Sequence, residues 1–525
     1  MTRPVFLLTV PAGALCLAAA ALLGPSETRT VAVAAAVESA PSFSLPDGLV
    51  VREPEMPLGV EGSMLELNRS ISQGIRPEAN AVVLLVQVFG SDVFEAPLRM
   101  ASLDMLGIRK LAASPRFQYI DPFVRAHGGG SDEEIDQRAG ELNAELVLGS
   151  ERVWASKADY PQLAEFLEVN RAALDLVVTA ADRPHYYAPL LSLEEPMRLL
   201  AASFSVEYRL PFIGRCLTAR ALQRFSAGDM DGAISDLMAC HKLAALLANG
   251  SPMDTSGAKA HIIDSLTSFA ERELATSGKL SPEQAAALLA ALLKAPQVPT
   301  AEDAANRGER AVLHEELELL RTDEASRQGF FEQGPPENWQ ALQKIVTNED
   351  TWKAVLAAAD AIQDEVVQIL AIGPHAEQDA RIAEILKESM KYDKEEEGDD
   401  QTTFAQLAEK DPPAAAKLVG EAMAMALLSN CTQRRHSDDR ARMRRDSVIV
   451  SLALLVYRGR HGDYPESLTA LVPEELAEVP VDAFSEQPLD YKRRAPQHAV
   501  LMSWGANRVN DAGALYNDDV IIELK

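Results

Sequence analysis

Residues 447–525 read SVIVSLALLVYRGRHGDYPESLTALVPEELAEVPVDAFSEQPLDYKRRAPQHAVLMSWGANRVNDAGALYNDDVIIELK, and the period of their apolar positions changes partway along. The run 448–457 is apolar except for Ser451 and ends near Gly459, which predicts a buried helical segment. Pro465 then predicts a short helix with Glu466 in its first turn. Beyond it, 489–492, 499–504 and 520–524 are short apolar or alternating runs bounded by Pro, Gly, Asn and Asp, the pattern of small antiparallel strands. One helix laid on a three-stranded sheet is the unit this stretch predicts.

Within it, a set of residues recurs in a familiar order: Tyr457, Gly462, Tyr464-Pro465, Leu468, Leu471, Pro480-x-Asp482-x-Phe484, Pro488-Leu489-x-Tyr491, Ser503-x-Gly505-x-Asn507 and Asn517-Asp518-Asp519-Val520. This order resembles the globular part of major pseudopilins of type II secretion systems. The chain departs from that pattern at Ala483, where the family usually has proline, at Asn507, usually aspartate, and at Ala512-Gly513, often a glycine pair. The family's methylated membrane helix is missing, so the resemblance implies an α+β module at 441–525 and no pilus-like polymer. It also implies a Ca²⁺ site in the final loop, held by Asn507, Asp511, Asn517, Asp518 and Asp519, with Asn510 as a further oxygen donor. Hard oxygen donors in a flexible loop suit Ca²⁺. The same residues are also ordinary turn-formers, and both readings stand.

The chain has 525 residues, enough for two to four domains, and a formal charge of −28. Such an excess of acid disfavours phosphate backbones and anionic lipid surfaces, so nucleic acid is not an expected partner. Aromatic residues are only 6% while Ala and Leu dominate, which favours helices over a large sheet. Residues 1–36 read as an export leader: Arg3 precedes a long apolar run holding Pro11 and Gly13. A cleaved signal is the favoured reading, and an anchor through residues 4–23 is the other. Residues 37–57 are polar and Pro-rich, a linker. Outside the leader, which holds Cys16, three cysteines remain, and an odd count argues against a disulfide framework. A Cys216–Cys240 bridge across a helical hairpin stays open.

Residues 58–160 read as a mixed region and 161–440 as a helical domain. Pro77-Glu78-Ala79-Asn80 leads into an apolar helix that Gly90 stops. Positions 163, 166, 167, 174, 177, 178 and 181 repeat at threes and fours, one amphipathic helix ended by Pro184. Residues 215–250 turn at Gly228-Asp229 and resemble a single tetratricopeptide-type hairpin, with no neighbouring copy. Ser281-Pro282-Glu283-Gln284 is a capping box. Further helices are expected at 360–372, 381–390 and 413–428, with an acidic loop at 393–400. A stretch with six arginines, 433–445, is expected to pair with acidic helices.

No catalytic motif emerges. His127-Gly128-Gly129-Gly130 resembles an esterase oxyanion loop, yet no Gly-x-Ser-x-Gly elbow accompanies it, and a flexible loop before the acidic helix start at Ser131 is favoured. His314-Glu315-Glu316-Leu317-Glu318 has Glu318 where a zinc-protease helix needs its second histidine. The order of the leader, the Pro-Glu-x-Asn-Ala helix, the 186–189 turn, the hairpin and the pseudopilin-like end also resembles a group of large uncharacterised exported bacterial proteins. The expectation is therefore a mainly α protein, a helical array with one tetratricopeptide-like hairpin plus a small C-terminal α+β module. Its expected role is a non-catalytic scaffold for protein partners in the cell envelope, periplasmic or anchored to the cytoplasmic membrane facing outward. A secretion-system accessory subunit and an envelope hydrolase are the alternatives.

Overall fold

The computed structural model describes residues 43–57, 62–128, 130–194, 199, 202, 205–251, 254–300, 302, 309–330, 336–373, 375–389, 404–505, 507–509 and 519–525. The leader at 1–36 and the acidic loop at 393–400 lie outside them. What is described is mainly helical, with a two-stranded pair near the start and a three-stranded antiparallel sheet at the end.

In the N-terminal region β1 (Val50–Val51) pairs with β2 (Ile108–Lys110), and between them run α1 (Gly62–Ser72), α2 (Ala81–Phe89) and α3 (Arg99–Met105). All nine residues of α2 are buried, as a helix apolar on every side requires. The helix expected from Pro77 breaks at Asn80, because that side chain is used elsewhere. Its Oδ1 accepts from Val82 N at 3.1 Å and Tyr187 N at 3.0 Å, and its Nδ2 donates to Tyr187 O at 2.9 Å. Asn68 holds Leu190 in the same way, with N–H···O distances of 2.8 and 2.9 Å. Two buried amides thus satisfy the backbone of the 186–189 turn, which has no ladder to pair with.

The next elements are α4 (Ile120–Gly128), α5 (Asp132–Glu151), α6 (Pro161–Val169), α7 (Arg171–Ala181), α8 (Leu210–Ser226), α9 (Met230–Gly250), α10 (Asp254–Thr276) and α11 (Pro282–Leu292). Ser131 with Glu134 and Ser281 with Gln284 form complete capping boxes. The single helix expected across 163–181 is two helices. Asn170 at their junction donates to Gln118 O at 3.0 Å and accepts from Gln118 N at 2.7 Å, contacts that its place between the helices allows. Helices α8 and α9 form a hairpin that reverses at Gly228, where φ is +82°. Asp229 caps α9, accepting from Gly232 N at 2.9 Å.

A second core gathers α12 (Arg310–Thr322), α13 (Glu324–Phe330), α14 (Pro336–Thr347), the first half of α15 (Glu349–Ala371) and α17 (Phe404–Lys410), while α16 (His375–Ser389) packs with the far end of α15. The three segments read separately at 413–428, 433–445 and 448–457 are one helix, α18 (Pro412–His461). It has 50 residues and at 1.5 Å per residue is about 75 Å long. Asp411 caps its start, and the Gly462 N–H reaches Arg458 O at its end. No helix breaker lies between, so the charged middle continues the helix rather than interrupting it. The 440/441 position therefore falls inside a continuous helix. The first half of α18 buries Ala415, Ala416, Val419 and Ala424 in the second core, and the second half buries Met443 and much of 448–456 in the first. Gly420 permits the crossing with α15: a Cβ there would lie 2.2 Å from the Val355 carbonyl oxygen.

The sheet has the order β3 (Asp490–Ala495), β4 (His498–Ser503), β5 (Val520–Leu524), all antiparallel. Ala499 faces Leu524, Leu501 faces Ile522 and Ser503 faces Val520, and this buried set packs toward α18 and α10. The short helix expected from Pro465 is a 3-10 turn, Leu468–Leu471, whose start is set by the Ser467 cap. Buried Asp482 accepts from Phe484 N and from Trp504 N, both at 2.8 Å, and so ties the preceding loop to the end of β4.

Candidate functional site

The arginine-rich middle of α18 is where the parts of the fold converge. Two of its arginines close other helices: Arg445 donates to the carbonyls of Leu292, Ala295 and Pro296 at 2.9, 2.6 and 2.8 Å, at the end of α11. Arg435 donates to Leu370 O at 2.5 Å and Ile372 O at 3.3 Å, at the end of α15. A guanidinium there satisfies orphan carbonyls and meets the negative end of the helix dipole. Two arginines of this stretch thus cap helices, and Arg435 and Arg442 pair with Asp439 on α18 itself rather than with an acidic helix elsewhere.

Between these two caps lies a cavity of about 260 Å³. Helix α10 contributes His261 and Asp264, the segment after α11 contributes Val298, Thr300 and Glu302, and the end of α15 contributes Leu370 and Ala371. From α18 come Arg435, Asp438, Asp439, Arg442 and Arg445. His261 is about nine-tenths buried, with Nε2 2.5 Å from Asp438 Oδ1, while its Nδ1 has no hydrogen-bond partner. The Nε of Arg445 is likewise buried without a partner. Asp439 lies near Arg435 (2.5 Å), Arg442 (3.1 Å) and His375 (3.2 Å). Burial alone would raise the Asp439 carboxyl, but hydrogen bonds from His375 and Arg435 outweigh it and hold the group below the usual carboxylate range.

Behind the cavity wall, Asp264 is part of a buried triad. His241 on α9 lies with Nδ1 2.7 Å from Asp264 Oδ1 and Nε2 3.0 Å from Glu271 Oε1. Burial would push the imidazolium down, yet Glu271 and Asp264 prevail and raise it to about 9. On another side His375, which reaches the cavity residue Asp439, stacks on Phe484 at 5.2 Å, and Arg508 meets Asp379 at 2.5 Å.

The sites read from sequence fall elsewhere. Asn507 accepts from Val509 N at 2.7 Å, a turn contact, and Asp519 immediately precedes β5. Asp511, Asn517 and Asp518 lie outside the described residues, among which no group of three or more His, Cys, Asp or Glu could hold a metal ion. His127 stacks on Phe123 and its Nδ1 lies 2.7 Å from Phe123 O, at the end of α4. His314 Nε2 is 2.8 Å from Asp360 Oδ1, and neither residue lines the cavity. Cys216 and Cys240 are both buried and free, and burial pushes both thiols well above their ordinary range. Among the described residues no helix is long and apolar enough to cross a membrane.

The cavity residues were visible in part. Arg435, Asp438, Asp439, Arg442 and Arg445 recur at threes and fours, as do His261, Asp264, Ser268 and Glu271, which puts each set on one face of its helix. No protein-family model, curated protein or solved structure matches this chain.

Proposed function

We propose that the chain is an exported, non-catalytic scaffold of the cell envelope that presents a pseudopilin-like C-terminal module to protein partners. The observation that carries this reading is α18, which lies in the second core with its first half and under the three-stranded sheet with its second. A module built on such a rod is held rigidly to the array rather than tethered. The helix, the Asp482 loop and the antiparallel sheet agree with the resemblance read in 447–525. The α8–α9 hairpin, tetratricopeptide-like at its Gly228 turn, serves packing rather than peptide capture, since α5, α7, α10 and α11 pack on it. Export rests on the apolar run after Arg3. A role beside secretion-system pseudopilins is the second reading, favoured by the same module.

The test is fractionation of cells making the full chain or a form lacking residues 1–36, with a photo-crosslinking residue at Val481 or Val509, both more than half exposed. The expected result is an envelope location for the full chain alone and a crosslinked protein partner at the module. A full chain that stays in the cytoplasm, or a module that crosslinks to nothing, rejects the proposal.

A further inference from the structure

We propose that the cavity between α10, α15 and α18 binds a small zwitterion: a carboxylate and an ammonium on a compact apolar body, the chemistry of a free aliphatic amino acid. The inference is independent of the scaffold reading.

Its first support is the pair of buried nitrogens without partners, Nδ1 of His261 and Nε of Arg445. Native interiors rarely leave such groups unpaired, and both lie on residues that line one cavity large enough for a ligand. Arg445 spends three of its five N–H groups on three carbonyls, which leaves Nε–H and one Nη1–H. Arg442, half exposed, spends Nη2 on Asp439 and keeps further N–H groups for an anionic oxygen. The Arg445 and Arg442 N–H groups suit a carboxylate, and Nδ1 of His261, whose Nε2–H faces Asp438, accepts from an ammonium.

The second support is charge. Four carboxylates line the cavity, Asp264, Glu302, Asp438 and Asp439, against three guanidiniums. A bare anion would face Asp264 and Glu302, and a bare cation would face Arg442 and Arg445. Only a ligand carrying both signs meets each set with its opposite. Asp439 is already shared among Arg435, Arg442 and His375, and Asp264 spends one oxygen on His241, which leaves its other oxygen and Glu302 for an ammonium.

Size and the remaining lining complete the description. At about 260 Å³ the cavity is smaller than the roughly 300–1,000 Å³ of drug-sized sites, so the ligand is compact. Val298, Leu370, Ala371 and Ala441 supply an apolar wall for an aliphatic side chain. His261, steadied by Asp438, is a recognition group here, and no bond is made or broken.

The experiment is calorimetric titration of the full chain with L-leucine. Two isosteres accompany it: 2-hydroxy-4-methylpentanoate, which lacks the ammonium, and 3-methylbutylamine, which lacks the carboxylate. Saturable one-to-one leucine binding, with both isosteres at least about tenfold weaker, is expected. His261→Ala should weaken leucine by about tenfold or more, and Arg442→Gln, at a half-exposed position that folding tolerates, should do the same. No saturable uptake at millimolar leucine, equal binding of either isostere, or unchanged affinity in Arg442→Gln overturns the proposal.

Discussion

Replacing Asp236 by leucine probes a commitment of charge to the interior of the first core. Its carboxylate, on α9, is fully buried and accepts from Arg220 Nε at 2.9 Å, Arg220 Nη2 at 2.7 Å and Arg224 Nη1 at 2.8 Å. Arg220 is itself only 4% exposed and otherwise reaches Asp175 at 2.7 Å, a partner that is 54% exposed. Asp236→Leu would leave Arg220 buried with only the half-exposed Asp175 and the Arg171 carbonyl, 3.3 Å from Nη1, as partners, and removing one member of a buried pair costs about 3–5 kcal/mol. Asp175 recovers part of this, so a loss near the lower figure, about 3 kcal/mol, is expected. Removing both charges together is a different matter. Arg220→Met with Asp236→Leu fills the same space with apolar groups and should come within about 1 kcal/mol of the wild type, because desolvation of the ion pair offsets most of its attraction. Arg224 stays near Asp175 and Asp229, at 3.6 and 3.7 Å, and tolerates either change. Chemical unfolding of the wild type, both single variants and the double variant closes the cycle. A single Asp236→Leu that costs less than about 1 kcal/mol, or a double variant no better than the single, would refute the assignment of a tightly paired buried network.

Three further outcomes are expected. Gly228→Val should lower stability by about 1 kcal/mol or more, since φ is +82° and a Cβ would meet nothing within 4 Å, leaving backbone strain as the whole cost; an unchanged melting temperature would reject that turn. His241, raised to about 9 against an ordinary value near 6.5, contributes stability that is fully present below that ordinary value and is lost as pH climbs through about 9. His241→Gln should therefore flatten the stability profile between those two values, and a slope equal to the wild type would show that other groups set it. If the final loop holds Ca²⁺, excess calcium over chelator should raise the melting temperature of the full chain, by a stabilisation of about 1.4 kcal/mol at ten times Kd. The shift should vanish in Asp518→Ala, and equal melts with and without calcium mark these residues as turn-formers.

How far the fold could be read from the sequence depended on whether a residue's role was local. Caps at Ser131, Ser281 and Asp229 and the turn at Gly228 act within three or four positions, and each was readable from its neighbours. The strands of 490–503 and 520–524 showed through their alternation, with boundaries shifted by a few residues. Errors came where a side chain works at a distance. Asn80 and Asn170 break helices that periodicity runs straight through, because their amides serve backbone at Tyr187 and Gln118, over 50 positions away in each case. The same cause hid the unity of α18. Its charged middle reads as a solvated interval between two apolar stretches, yet Arg435 and Arg445 are spent on the carbonyl ends of α15 and α11, groups that no local window contains. Once those carbonyls are counted, the arginines become a requirement of the fold: two helices end against one rod, and each end needs a cation. The cavity lies between those two capped ends and α10. The arginines that cap those ends line the same space as His261, Asp264 and Glu302, which is why a charged cavity lies at the most arginine-rich stretch of the chain.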